Sequence, residues 1–218
     1  YSKTPVAPNL QAIHRRLRAK LYAFLEPASR TMRRYKKSDR SIEARYARAV
    51  AFHKSAKLDD ALKTMSGLLT EHPKDPYFLE LMGQILFESG RVRDSIPYYT
   101  AAVKLAPSSA LMRGELAHAQ IETNNPALLP SAISNLRAAL RVEREIPNTW
   151  RSLATAYGRQ KNDLQASLAL AEEALLLNKK TDALHFATRA KKRAKEGTPA
   201  WLQADDILAA VKRLKDSQ

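Results

Sequence analysis

Apolar positions recur along this chain at intervals of three and four, the periodicity of amphipathic helices, and no stretch of strand length alternates apolar with polar residues. Leu10, Ile13, Leu17, Leu21 and Phe24 form the first stripe, which stops before Pro27, while His14, Arg15, Arg16, Arg18 and Lys20 occupy the opposite face. The spacing predicts an extended lead-in over 1–8 and a short second helix over 29–36, with Ser38, Asp39 and Ser41 as cap-type residues ahead of the third helix. Beyond that point the pattern repeats. Pro73 and Pro107, Ala61 and Ser95, and Ala49 and Gly83 each stand 34 residues apart. A period of that length filled with helical sequence means stacked helix hairpins.

Placing Ala61 at position 20 of a 34-residue unit gives a first repeat over 42–75, with Ala49 at position 8, Phe52 at 11, Met65 at 24, Leu68 at 27 and Pro73 at 32. The second, over 76–109, sets Met82, Gly83, Leu86, Gly90, Ser95, Tyr99, Ala102 and Pro107 at positions 7, 8, 11, 15, 20, 24, 27 and 32. Positions 8 and 20 are where two antiparallel helices cross, so only a small residue lets the backbones approach, and bulky neighbours fill the space around them. Proline at 32 ends the second helix. These residue types in this order resemble the tetratricopeptide repeat, which predicts an all-α superhelical solenoid.

A third unit starts near Ala110, and about three extra residues follow Asn124, Asn125 and Pro126 before Ala132, Leu136 and Ala139 resume the pattern. The fourth opens at Pro147, with Trp150, Leu153, Ala154 and Tyr157 at positions 4, 7, 8 and 11. The register then shifts, so that the helix over 164–177 is expected to serve two consecutive hairpins. Thr198 and Pro199 make an N-cap and N1 pair for a last, capping helix. The organisation expected is N-terminal helices over 1–41, repeats over 42–196 and a capping helix over 197–218.

Composition adds direction. Hydrophobic residues make up 44% of the 218, ordinary for a chain that buries a core, and with only 6 Gly the balance favours helix. The net charge of +15 is uneven. Residues 1–54 hold 14 Lys/Arg against 3 Asp/Glu, residues 55–178 hold 13 against 14, and residues 179–218 hold 10 against 5. The repeats are thus nearly neutral between two basic ends. No apolar run is long enough to span a membrane, and no signal-peptide pattern opens the chain. Because the chain starts at Tyr1 rather than Met, a fragment or processed product is expected.

Catalytic patterns are missing. The absence of cysteine removes disulfides, thiolate chemistry and cysteine-bound zinc. No two of the five histidines, at 14, 53, 72, 118 and 185, stand four apart, so the zincin arrangement is not formed, and no P-loop, nucleophile elbow or EF-hand loop occurs. No cofactor or metal is therefore assigned to this chain. His53 and His118 read as solvated or ligand-contacting, and Trp150 and Tyr157 read as core. Arg189, Lys191, Lys192, Arg193 and Lys195 read as helix C-terminal cations or a phosphate patch.

What remains is a surface. In tetratricopeptide stacks the first helix of each hairpin lines a concave groove through positions 2, 5, 9, 12 and 13, which selects Glu43, Tyr46, Val50, His53 and Lys54, then Tyr77, Glu80, Gln84, Phe87 and Glu88. The later repeats contribute Leu111, His118, Ile121 and Glu122, then Asn148, Arg151 and Arg159. Mixed aromatic, aliphatic and charged groups suit an extended peptide or a protruding element of a protein. The Lys and Asn set that clamps a C-terminal carboxylate in one variant of the fold is replaced here by Tyr46, Val50, Gln84, Leu111 and Glu115.

The flanking words go further: Tyr1-Ser2-Lys3-Thr4-Pro5, Ser38-Asp39-Arg40-Ser41 followed by Ala44-Arg45-Tyr46-Ala47-Arg48-Ala49, and Gly197-Thr198-Pro199-Ala200-Trp201 through Asp205-Asp206-Ile207. With them the chain resembles the C-terminal region of BepA-like bacterial metalloproteases, particularly their alphaproteobacterial forms. The resemblance implies a periplasmic M48-type zinc protease whose HExxH domain lies upstream. It further implies that the repeats pack on that domain, shape access to its active site and engage outer-membrane proteins or their assembly machinery. The helix over 10–25 would connect the two domains, and no catalytic residue or zinc ligand carries over. Two other readings stay open: a stand-alone adaptor for a protein or peptide, and a basic surface over 1–54 for nucleic acid or an anionic membrane.

Overall fold

Residues whose side chains can cap a helix mark where the hairpins begin. The computed structural model describes residues 8–216, with side chains from 11 to 214. The expected lead-in over 1–8 lies outside the described residues apart from Pro8, which opens a helix. Twelve α-helices and no strand form among the described residues: α1 Pro8–Leu25, α2 Ala28–Arg34, α3 Ile42–Lys54, α4 Leu58–Glu71, α5 Pro76–Glu88, α6 Val92–Leu105, α7 Ala110–Glu122, α8 Leu129–Val142, α9 Pro147–Arg159, α10 Asp163–Leu176, α11 Lys180–Arg193 and α12 Pro199–Asp216. A short 3-10 turn, Pro126–Leu128, accommodates the extra residues before α8.

Ser41 Oγ accepts from the Ala44 amide, Ser109 Oγ from Met112, and Asn162 Oδ1 from Gln165, each at 3.2 or 3.3 Å. Asp75 Oδ1 accepts from both Tyr77 and Phe78, with Pro76 at the first helical position. These bonds satisfy amides that a helix start leaves unpaired.

First helices end by a second recurring device. After α3 the Lys57 amide donates to Phe52 O and Ala56 to His53 O; after α5, Arg91 donates to Leu86 O and Gly90 to Phe87 O. The same pair of bonds closes α9 at Lys161 and Asn162 and α10 at Asn178 and Lys179. Each motif needs one left-handed residue, and these are Ala56 (φ 55°), Gly90 (φ 79°), Lys161 (φ 59°) and Asn178 (φ 55°). An alanine is the costly choice there, since the left-handed conformation costs an L-residue about 1–2 kcal/mol. Ala56→Gly is therefore expected to stabilise the protein by about 0.5–1 kcal/mol, and Gly90→Ala to destabilise it by about as much. Urea denaturation followed by circular dichroism reads both, and a destabilised Ala56→Gly protein would count against the assignment.

The chain forms two compact units, Tyr1–Leu105 and Ala106–Gln218. In the first, Ala49, Ala61 and Ser95 are wholly buried at the helix crossings. Gly83 is required on α5: a Cβ there would lie 2.9–3.0 Å from ring atoms of Tyr99 on α6. The core gathers Tyr46, Met65, Leu68, Phe78, Leu81 and Ile85, together with Ala19 and Ala23 of α1.

In the second unit, Ala117, Ala132, Leu136, Leu153 and Ala154 pack α7, α8 and α9 together, and Trp150 and Tyr157 join that core. The helix α10 packs against α9 on one side and α11 on the other. Its Ala171 and Ala174 meet Ala183 and Ala187 of α11 and Ile207 and Val211 of α12, so α12 covers the last hairpin. Thr198 Oγ1 caps α12 by accepting from the Trp201 amide at 3.4 Å.

Candidate functional site

In the first unit the face expected to form a groove has an occupant. The helix α1 lies against α3, and its contacts are those of a seated element. Ala19 and Ala23 are buried in the common core with Tyr46, Ala47 and Val50. Lys20 Nζ donates to Glu80 Oε2 at 2.5 Å, with the Glu80 side chain 3% exposed, and Arg16 donates to Asp75 at the start of α5. Lys54 Nζ reaches the free carbonyls at the end of α1, donating to Ala23 O at 3.1 Å, Phe24 O at 2.6 Å and Glu26 O at 2.7 Å. A cation there completes orphan acceptors and matches the negative helix end.

Six of the groove positions are therefore taken up inside the unit. Tyr46, Val50 and Glu80 are buried beneath α1 instead of lining an open channel, because alanines on α1 permit its close approach. Lys54 holds the end of α1. Glu43 accepts from Arg15 at 3.1 Å. His53, read from sequence as solvated or ligand-contacting, instead donates from Nε2 to Glu88 Oε2 at 2.6 Å. Tyr77 stays half exposed under the Arg16 guanidinium, 5.2 Å from its centroid. Gln84 bonds Glu88 at 2.7 Å, and Phe87 is partly buried.

Half of the 14 cations in the basic first quarter of the chain are engaged as well. Arg45 makes a two-point bond with Glu71, which holds the Glu71 carboxyl below its usual range. Arg48 is buried and donates to the carbonyls of Tyr35 and Lys36, and burial pulls its guanidinium below the ordinary arginine range. Cations spent on internal carboxylates and carbonyls cannot also form a stripe for phosphates.

In the second unit the corresponding face is open. Leu111 and His118 of α7 and Asn148 and Arg151 of α9 line a cavity of about 480 Å³, with Leu136 and Ile146 as apolar wall. Leu111 is 60% exposed, a large apolar group with no cover. Arg151 is oriented by its Nε bond to the buried Glu173 at 2.8 Å. Ile121 does not reach this surface: it is packed in the core, and its carbonyl accepts from Arg159. His118 and Glu122 stand one turn apart on the exposed side of α7.

Three cations of the basic tract at the end of α11 are also paired. Arg189 and Arg193 approach Asp163 at 3.5 and 3.8 Å, and Lys191 bonds Asp205 and lies over the Trp201 ring. No cluster of three His, Cys, Asp or Glu suited to a metal exists among the described residues. No helix among them is long and apolar enough to cross a membrane.

The sequence pattern that defines the family described as Tetratricopeptide repeat matches residues 14–214. The chain belongs to the tetratricopeptide repeat family. Among curated proteins, the Beta-barrel assembly-enhancing protease of Yersinia pestis is 27% identical over 175 residues, covering 80% of this chain and 35% of that protein. The chain thus spans about a third of that relative's length. The crystal structure of MamA superposes with a TM-score of 0.57 at 16% identity, over 78% of this chain and 95% of that one. YrrB, described as a TPR protein with an unusual peptide-binding site, gives 0.62 at 16% identity, over 77% of this chain and 87% of that one. At such identities the likeness is one of tetratricopeptide fold.

Within this tetratricopeptide array, the positional rule for groove residues found the open face of α7 and α9 but not the occupant of the first unit. The signal for that occupant was the pair Ala19 and Ala23, four apart on α1 with Lys20 and Arg16 alongside. Small residues at that spacing mark a face on which another helix can sit closely.

Proposed function

We propose that this chain is the non-catalytic, protein-binding part of a periplasmic zinc metalloprotease of the beta-barrel assembly-enhancing type. In this reading it recruits outer-membrane proteins or their assembly machinery and regulates access to an HExxH domain encoded upstream. The observation that carries the reading is the open, part-apolar cavity on α7 and α9, in which Leu111 offers an anchor and Arg151, His118 and Asn148 a polar rim. An apolar centre with a polar rim is how protein surfaces hold an extended segment. The match to the Yersinia pestis protease over most of this chain supports the periplasmic parent.

The test uses the purified chain and synthetic peptides copied from strands of a β-barrel outer-membrane protein. Leu111→Asp is expected to weaken peptide binding by about tenfold, the loss of one buried anchor, with helix content unchanged. The chain is also expected to cleave nothing and to bind zinc no more tightly than millimolar. Undiminished binding by Leu111→Asp would remove the cavity from the site, and micromolar zinc binding would overturn the division of labour. The reading frame distinguishes the parent: an upstream HExxH supports the protease, whereas an initiator Met directly before Tyr1 makes the chain a stand-alone adaptor.

A further inference from the structure

A second groove in the Ala106–Gln218 unit lies between α8 and α10, with α9 as floor and α12 as one wall, and encloses about 800 Å³. Its floor is apolar: Trp150, Leu153 and Tyr157 of α9 meet Leu140 of α8 there, each with a small part of its surface still accessible. The wall formed by α8 presents Arg137 and Arg141 at i and i+4, which places both on one helix face, and Arg144 follows in the turn after α8.

The three arginines differ in how they are used. Arg144 serves the fold, donating to the buried Glu172 at 2.7 Å and giving its carbonyl to the Trp150 indole N–H at 2.8 Å. Arg137 and Arg141 are exposed and have no carboxylate partner among the described residues. The one side-chain bond between them runs from Arg141 Nε to the Arg137 carbonyl at 3.4 Å, which leaves both guanidinium ends free. This contrasts with Arg189, Lys191 and Arg193 of α11, which are matched by Asp163 and Asp205. Two unmatched arginines one helical turn apart, beside a buried aromatic floor, form half of a recognition pair.

We propose that this groove binds an acidic linear segment of a partner protein, with two carboxylate side chains on Arg137 and Arg141 and an aliphatic or aromatic side chain on Leu140, Leu153 and Tyr157. Arginine forks bind carboxylates at two points, and a cavity of this size accepts one large side chain with its backbone. The opposite wall favours a peptide, whose backbone it can pair: Asp206 there can accept from a peptide amide, and the Gln165 side-chain amide, unpartnered among the described residues, can pair with backbone. This site is separate from the α7 and α9 cavity and stands whether or not the chain comes from a protease.

The probe is a fluorescent ten-residue peptide with Asp or Glu flanking a central Leu-Phe pair, titrated by anisotropy against the full chain. A second readout is the emission of Trp150 in a Trp201→Phe background. Arg137→Gln with Arg141→Gln is expected to lower affinity by about tenfold or more, and replacing the peptide's acids by Asn and Gln to do the same. The Trp150 emission should shift on binding, and Leu111→Asp should leave affinity unchanged. Both arginines are exposed, so folding is not at stake, and circular dichroism verifies it. Equal affinity of the double variant overturns the site, as does equal binding of the uncharged peptide or no binding at all. Tight binding of phosphatidylglycerol vesicles or of single-stranded DNA, with the peptide bound no better, assigns the arginines to polyanions and likewise overturns it.

Discussion

Gly83→Leu is expected to destabilise the first unit by about 2–3 kcal/mol, the range for forcing extra carbons into a packed crossing. The Cβ alone would lie 2.9 Å from Cδ1 of Tyr99 and 3.0 Å from its Cε1 and Cγ, and Tyr99 is itself buried at 2% exposure. The ring cannot swing away without opening the core. Gly83→Ala isolates the two opposing effects: alanine improves helix propensity by about 1 kcal/mol, while its methyl group meets the same ring. The net change for alanine should therefore be smaller than for leucine. Pairing Gly83→Leu with Tyr99→Ala supplies the decisive arm, because the space vacated by the ring receives the leucine. The double variant should be at least about 1 kcal/mol more stable than the sum of the single changes predicts. Strict additivity in urea denaturation would show that glycine is not needed for close approach of α5 and α6.

That crossing was legible in the sequence because a repeat imposes the same steric demand at every copy. Ala49 and Gly83, and Ala61 and Ser95, stand in register 34 residues apart, and helix starts were equally readable from Ser41 and Thr198. Even the departures carried a signal, since the extra residues after Asn125 form a 3-10 turn outside the core and α10 packs on both α9 and α11. The helix α1 was harder. Its bulky stripe suggested the buried face, yet Ile13, Leu17 and Leu21 are 41%, 49% and 51% exposed, whereas Ala19 and Ala23 are buried. Apolar content points toward whatever can cover most area, but close helix approach selects small residues, and the second demand won on the seat against α3. A positional rule taken from open repeats has no term for a helix lying on them. For that reason Tyr46, Val50 and Glu80 read as surface although each is buried.

The seat of α1 yields the largest single-residue effect. Lys20→Met leaves the Glu80 carboxylate buried without its cation, and breaking a buried ion pair on one side costs about 3–5 kcal/mol. The geometry leaves little room for rescue: Lys20 Nζ is 2.5 Å from Glu80 Oε2, with side-chain exposures of 16% and 3%. Replacing both partners, Lys20→Met with Glu80→Met, removes the stranded charge and should restore most of the loss. Urea denaturation of the single and double variants measures the difference, and equal destabilisation of both would show that α1 is held by packing alone. The single variant should also loosen α1 first, because Arg16 and Lys54 hold its seat through polar contacts of their own while Ala19 and Ala23 contribute little apolar area. Hydrogen exchange should then quicken at the amides of α1 before those of α4 and α6. If exchange rises uniformly across the unit instead, α1 is part of its cooperative core, and the face of α3 and α5 is closed to partners for as long as the unit is folded.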